Sequence, residues 1–150
     1  MGNDVLKILF VSGTDRSGST LLCRVLGQIP GYFGAGEPRM FWNYHEDRTN
    51  LCGCGELLWS CPVWRPVIAK TIECMREEEL EDTISLHDKL RIGRRWWHQR
   101  DRTRYEKYLG RLEVLYRAMA EQTGSRVIVD SSKSSSYALT LNDVPGFEVY

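Results

Sequence analysis

The chain has 150 residues, the size of one ordinary domain, and its 20 lysine and arginine side chains are balanced by 20 acidic ones. A net charge of zero excludes a globally basic nucleic-acid binder, so any electrostatic function has to be local. A hydrophobic share of 42% excludes a disordered chain, and no apolar run reaches the roughly 20 residues of a membrane span.

Met1–Asp4 is not a basic leader, and Leu6 stands where a myristoylation signal wants serine or threonine, so the expected location is cytoplasmic. Then "VLKILFVSG" predicts a first strand, short, branched and ended by Gly13. "GSTLLCRVLGQI" has helical spacing at Leu21, Leu22, Val25, Leu26 and Ile29, and Pro30–Gly31 stops it. "EPRMFWNYHEDRTNLCGCGELLWSCPVW" is irregular and aromatic-rich. A helix is predicted from Pro62 to about Glu79, closing in an acidic tail, "REEELED". A longer one is predicted from about Thr103 to Gln122, where Tyr105, Tyr108, Leu109, Leu112, Leu115, Tyr116 and Met119 recur at helical steps before Gly124. "RVIVD" reads as a second, buried strand, "SSYALTLND" as a short helix and "GFEVY" as the start of a third strand. Strands alternating with helices predict an α/β fold on a parallel sheet.

Gly13-x-x-x-x-Gly18-Ser19-Thr20 sits between the first strand and the first helix, where a phosphate-binding loop belongs, yet serine replaces the usual lysine. Glycines let the backbone wrap an anion and present N–H groups at a helix N-terminus. The missing lysine ordinarily reaches the β/γ-phosphates of a triphosphate. Arg16 restores one positive charge earlier in the loop, as a planar fork. A glycine turn that serves packing alone is the alternative.

"GTDRSGSTLL" resembles the 5′-phosphosulfate loop of sulfotransferases that use 3′-phosphoadenosine-5′-phosphosulfate (PAPS). "GAGEPRMFW", "LCGCGELLWSCPVW" and "VIVDSSKSSSYALTL" are similar to further segments of the bacterial-type enzymes, so the likeness runs from about residue 6 to the end and is weak over 75–125. The resemblance implies a three-layer, P-loop NTPase-like parallel sheet flanked by helices. A helical, Cys-rich insertion, 31–124, would lie between the first two strands of a single domain, 1–150. It implies sulfuryl transfer from PAPS to a hydroxyl or amine without magnesium. Ser17, Gly18, Ser19 and Thr20, with Arg16, would hold the phosphosulfate, and Arg16 would stabilise charge at the bridging oxygen. Glu37 would be the general base, or else a glutamate placed by a helix dipole. Lys133 would touch the sulfonate or the bridging oxygen, while Asp130, Ser131 and Ser132 read as a structural turn and cap cluster.

Cys52-x-Cys54-x6-Cys61, with Cys74 or His45 as remote fourths, raises zinc. Four ligands in two close pairs are the usual pattern, so reduced core cysteines or one disulfide are expected and no metal. Seven basic residues from Lys89 to Arg104 surround Trp96 and Trp97; a solvated helix face or part of an acceptor site is expected there, not a nucleic-acid surface. The sequence stops at Tyr150 before the segment with which such enzymes grip the 3′-phosphate, so a domain incomplete at its C-terminus is expected, as a fragment, a half completed by a partner, or a remnant. The acceptor (sugar, peptide, lipid or small phenol) is left open, as is a homo-oligomer. The competing readings are a nucleotide kinase or NTPase with Asp130 as its acid, and a non-catalytic nucleotide-binding module.

Overall fold

The computed structural model describes residues 5–44, 48–91 and 101–150. Four strands, β1 (Leu6–Ser12), β2 (Tyr32–Gly36), β3 (Val127–Lys133) and β4 (Phe147–Val149), form one sheet in the order β2-β3-β1-β4. Every pairing is parallel: Lys7 lies opposite Val127, Leu6 opposite Phe147, and Tyr32 opposite Val127. The expected α/β class, a parallel sheet flanked by helices, is what the chain adopts.

Helix α1 (Ser19–Leu26) follows β1 and packs on β2 and β3. The contact is backbone to backbone. A Cβ on Gly34 would meet the Cys23 carbonyl oxygen at 2.7 Å, and one on Gly27 would meet the Gly34 nitrogen at 2.9 Å. Only Ser19 and Cys23 of α1 are buried, while Leu21, Leu22 and Val25 stay exposed. The remaining helices are α2 (Trp64–Thr71), α3 (Glu77–Arg91), α4 (Arg102–Thr123) and α5 (Ser135–Asn142). Along α4 the predicted stripe from Tyr105 to Met119 is buried, and Gly124 ends the helix at φ 64°. That stripe meets Ile8, Trp42, Ile128 and Leu141 in one apolar core.

Two expectations are corrected. The insertion does not lie between the first two strands, because β2 follows α1 at once and α2–α4 come between β2 and β3. "YFGAG" hides its strand because two of its five residues are glycines, which strands disfavour; here Gly34 admits α1, and Gly36 has a positive φ of 75°. The helix predicted over 62–79 is two helices. Its acidic "tail" is the first turn of α3, with Glu77, Glu78 and Glu79 at the positive end of the dipole. The Arg76 N–H donates back to Glu79 Oε2 at 3.2 Å, as in a capping box, and so starts a new helix.

Of the basic stretch, residues 92–100, with Trp96 and Trp97, lie outside the described residues, as does His45. Arg102 and Arg104 are on α4 and pair with Glu106 and Asp82, each at 2.7 Å. Among the described residues no helix is long and apolar enough to cross a membrane.

Candidate functional site

The carboxyl ends of β1, β2 and β3 bring the singled-out residues to one edge of the sheet, the edge at which parallel α/β sheets present ligand groups. After β1 the chain turns through Gly13–Gly18 into α1. Gly18 is the N-cap at φ 78°, and no side chain caps the helix, so its first-turn N–H groups are not taken up by a capping residue. A residue with a Cβ is strained at that φ, which is why glycine stands there. Arg16, Ser17 and Thr20 are exposed and Ser19 is buried.

Among the described residues, two non-glycine residues have positive φ: Arg16 at 61° and Lys133 at 65°. Both were singled out as cations of the site. At Lys133 the Ser134 N–H reaches back to the Ser132 carbonyl at 2.7 Å, a tight three-residue turn that directs the chain out of β3. Such strain is retained where surrounding contacts over-determine it. Here Ser12 Oγ donates to the Lys133 carbonyl at 3.2 Å, and Lys133 Nζ donates to Glu37 Oε1 at 2.7 Å and lies 3.8 Å from Asp15 Oδ1. The Glu37 carboxylate holds the Lys133 ammonium above the ordinary lysine pKa.

Glu37 directly follows β2 and precedes a 3₁₀ turn, Pro38–Tyr44. It lines a cavity of about 150 Å³ with Pro38, Phe41, Tyr44, Leu58 and Trp64. Burial, and then the charge of Glu37, push the Tyr44 hydroxyl's pKa up. Beside it, a groove of about 730 Å³ is lined by Thr20 and Gly36 and by Cys52, Cys54 and Cys61. A larger concavity, about 830 Å³, lies at the opposite edge, among Leu6, Tyr32 and Val127, where β1, β2 and β3 begin. None of the singled-out side chains lines it, so volume and chemistry point to different edges, and the chemistry has the stronger warrant.

Asp130, Ser131 and Ser132 have structural partners. Asp130 is fully buried; its Oδ1 accepts from the Ser132 N–H at 2.7 Å, and its Oδ2 accepts a short bond from the Tyr116 hydroxyl. Burial pushes its carboxyl up to about 6, against the bonds from Ser132 and Tyr116. Ser131 Oγ donates to the Gly36 carbonyl at 2.8 Å, and Ser132 Oγ accepts from the Arg39 N–H at 3.2 Å. These bonds fix the ends of β2 and β3 side by side, and with them Glu37 beside Lys133.

Arg39, Asp15 and Ser12 were not singled out from the sequence. Arg39 has a buried Nε with no hydrogen-bond partner among the described residues, and its charge acts on Lys133. The one sequence signal for Arg39 is its place two residues after Glu37 in "GEPR". No protein-family model, no curated protein and no solved structure matches the chain.

Proposed function

We propose that this chain transfers a sulfuryl group from PAPS to a hydroxyl or amine acceptor. The observation that carries the reading is the Lys133–Glu37 pair at the carboxyl edge of the sheet, where the turn holding Arg16 leads into an uncapped helix N-terminus and both Arg16 and Lys133 have left-handed backbone conformations. That set suits an anion bound by backbone donors and fixed charges, in a P-loop-like arrangement with no metal called for.

Loop N–H groups of Ser17–Thr20, with Arg16, would hold the 5′-phosphosulfate. The incoming sulfonate competes with Glu37 for the Lys133 ammonium, and losing that partner leaves Glu37 available as a base. The acceptor oxygen then forms its bond to sulfur as the bond from sulfur to the bridging phosphate oxygen breaks. The acceptor proton passes to Glu37, and 3′,5′-diphosphoadenosine leaves. The small cavity beside Glu37, lined by polar groups as well as by Phe41, Leu58 and Trp64, has room for a small acceptor.

A magnesium-dependent kinase or NTPase needs an acid free to reach the metal. Asp130, the candidate for it, is buried with both oxygens occupied by protein donors, which counts against that reading.

The test is calorimetric titration of the chain with 3′,5′-diphosphoadenosine, beside ATP with magnesium. Saturable binding of the diphosphate, weakened by Lys133→Ala, is expected. Preference for magnesium-ATP, or binding of neither, overturns the assignment of PAPS to this chain.

A further inference from the structure

The cysteines of the Cys-rich segment converge in a way that their spacing alone does not indicate. Cys52 and Cys54 lie on a tight hairpin in which Leu51 bridges Leu57, the Cys52 N–H donates to the Glu56 carbonyl at 2.8 Å, and Gly55 turns at φ 90°. Cys61 follows the hairpin, its N–H donating to the Leu57 carbonyl at 2.9 Å and its carbonyl accepting from the Arg65 N–H at the start of α2. The sulfur of Cys61 is 3.4 Å from that of Cys52 and 3.7 Å from that of Cys54, and all three lie within 4.8 Å of one another.

A tetrahedral zinc site with Zn–S bonds of about 2.3 Å sets its sulfurs about 3.8 Å apart, close to this triangle. A disulfide would draw one pair to about 2.05 Å and leave the third thiol without a partner. Burial is graded across the set, with Cys61 buried, Cys52 half-buried and Cys54 exposed, so one side of the triangle opens to solvent.

We infer that Cys52, Cys54 and Cys61 bind one zinc ion as a three-thiolate site. No Cys, His, Asp or Glu among the described residues joins the three as a fourth ligand. The cysteines are free, as the expectation of reduced thiols has it, and no disulfide joins them; a zinc ion would be an addition to that expectation and stands apart from the proposed reaction. The ion ties the hairpin to the start of α2, and both border the groove that reaches Thr20. Metal that organises a short irregular segment contributes directly to its folding.

The full 150-residue chain, purified under reducing conditions, is to be assayed for bound zinc by elemental analysis. After removal of the metal it is titrated with Co²⁺, and the thiolate-to-cobalt charge-transfer band is followed. About one equivalent of zinc per chain is expected, with a charge-transfer band that zinc abolishes. Cys74→Ser, altering an exposed thiol outside the triangle, keeps both signals, whereas Cys54→Ser loses them with its far-ultraviolet circular dichroism unchanged. The exposed Cys54 is chosen because Cys61→Ser, in the core, risks unfolding the protein. Less than about 0.1 equivalent of zinc with no cobalt spectrum, or metal uptake undiminished in Cys54→Ser, overturns the inference.

Discussion

Lys133 Nζ donates to Glu37 Oε1 at 2.7 Å, joining the end of β3 to the residue after β2 across 96 positions of sequence. The pair sets a carboxylate beside a cation at the carboxyl edge of the sheet, and in the proposed reaction each partner restrains the other until the anion arrives. The two substitutions that break it should therefore act differently. Lys133→Ala removes a cation from the anion site and should weaken binding of 3′,5′-diphosphoadenosine at least ~10-fold. Glu37→Gln frees Lys133 and should bind the diphosphate as well as the parent or better, while turnover falls roughly 100-fold or more. Equal binding losses in both variants, by calorimetry, would contradict the exchange of partners.

Asp130 should give the stability a pH dependence of a particular sign. Its folded pKa of about 6 lies above the ordinary value of 3.8, so between those values the folded state holds a proton that the unfolded state has lost. Its contribution to stability thus falls as pH rises from about 4 to about 6, by on the order of 3 kcal/mol, and stays at that lower level at higher pH. Asp130→Asn keeps an oxygen for the Ser132 N–H and offers an amide to the Tyr116 hydroxyl. Urea unfolding of parent and variant at a series of pH values should show their stability difference moving within that window. A constant difference would show that Asp130 titrates normally.

For Lys133 the sign is the same, but the window lies far higher in pH. Its folded pKa is raised, so whatever the pair adds is fully present below the ordinary lysine value of 10.5 and is lost only as pH climbs through the folded value. Binding of the diphosphate should thus show no Lys133 titration between about pH 6 and 9.

Gly34→Ala tests how closely α1 approaches the sheet. The added methyl would lie 2.7 Å from the Cys23 carbonyl oxygen, which is helix backbone and has no rotamer to yield. A loss of ~1–3 kcal/mol in unfolding free energy is expected. The displaced helix also carries Ser19 and Thr20, so weaker anion binding should accompany it. Unchanged stability would mean that α1 is more loosely seated than the contact implies.

Arg16→Asn separates strain from charge. Asparagine tolerates a φ of 61° better than arginine, so stability should hold or rise by up to ~1 kcal/mol. Losing the guanidinium should weaken diphosphate binding roughly 10-fold or more. Binding that persists undiminished would leave the loop backbone as the whole of the anion site.

Much of the scaffold was legible in the residues. β1 and β3 contain branched apolar runs, and α4 repeats its apolar positions for about four turns, patterns that depend on near neighbours alone. The glycine, serine and threonine spacing after β1 marked the turn into α1 for the same reason. The start of α3 was misread because an acidic run is both a plausible helix end and a favourable first turn, and only the Arg76–Glu79 cap distinguishes the two. β2 was missed because Gly34 answers to the packing of α1 and Gly36 to a positive φ, and neither to strand propensity.

What the sequence by itself determined, then, is which segments form strands and helices where the pattern is strong, and which residues are candidates to carry chemistry. Tertiary structure alone decided which of them meet. Glu37 reaches Lys133 because β2 pairs with β3 and Ser131 and Ser132 lock their ends; Asp130 is spent inside because β3 turns it toward Tyr116; the three cysteines share one point because a hairpin folds onto the start of α2. Each of these meetings follows from strand order or chain reversal, which arise from burying one common core and are not encoded in the spacing of any single segment.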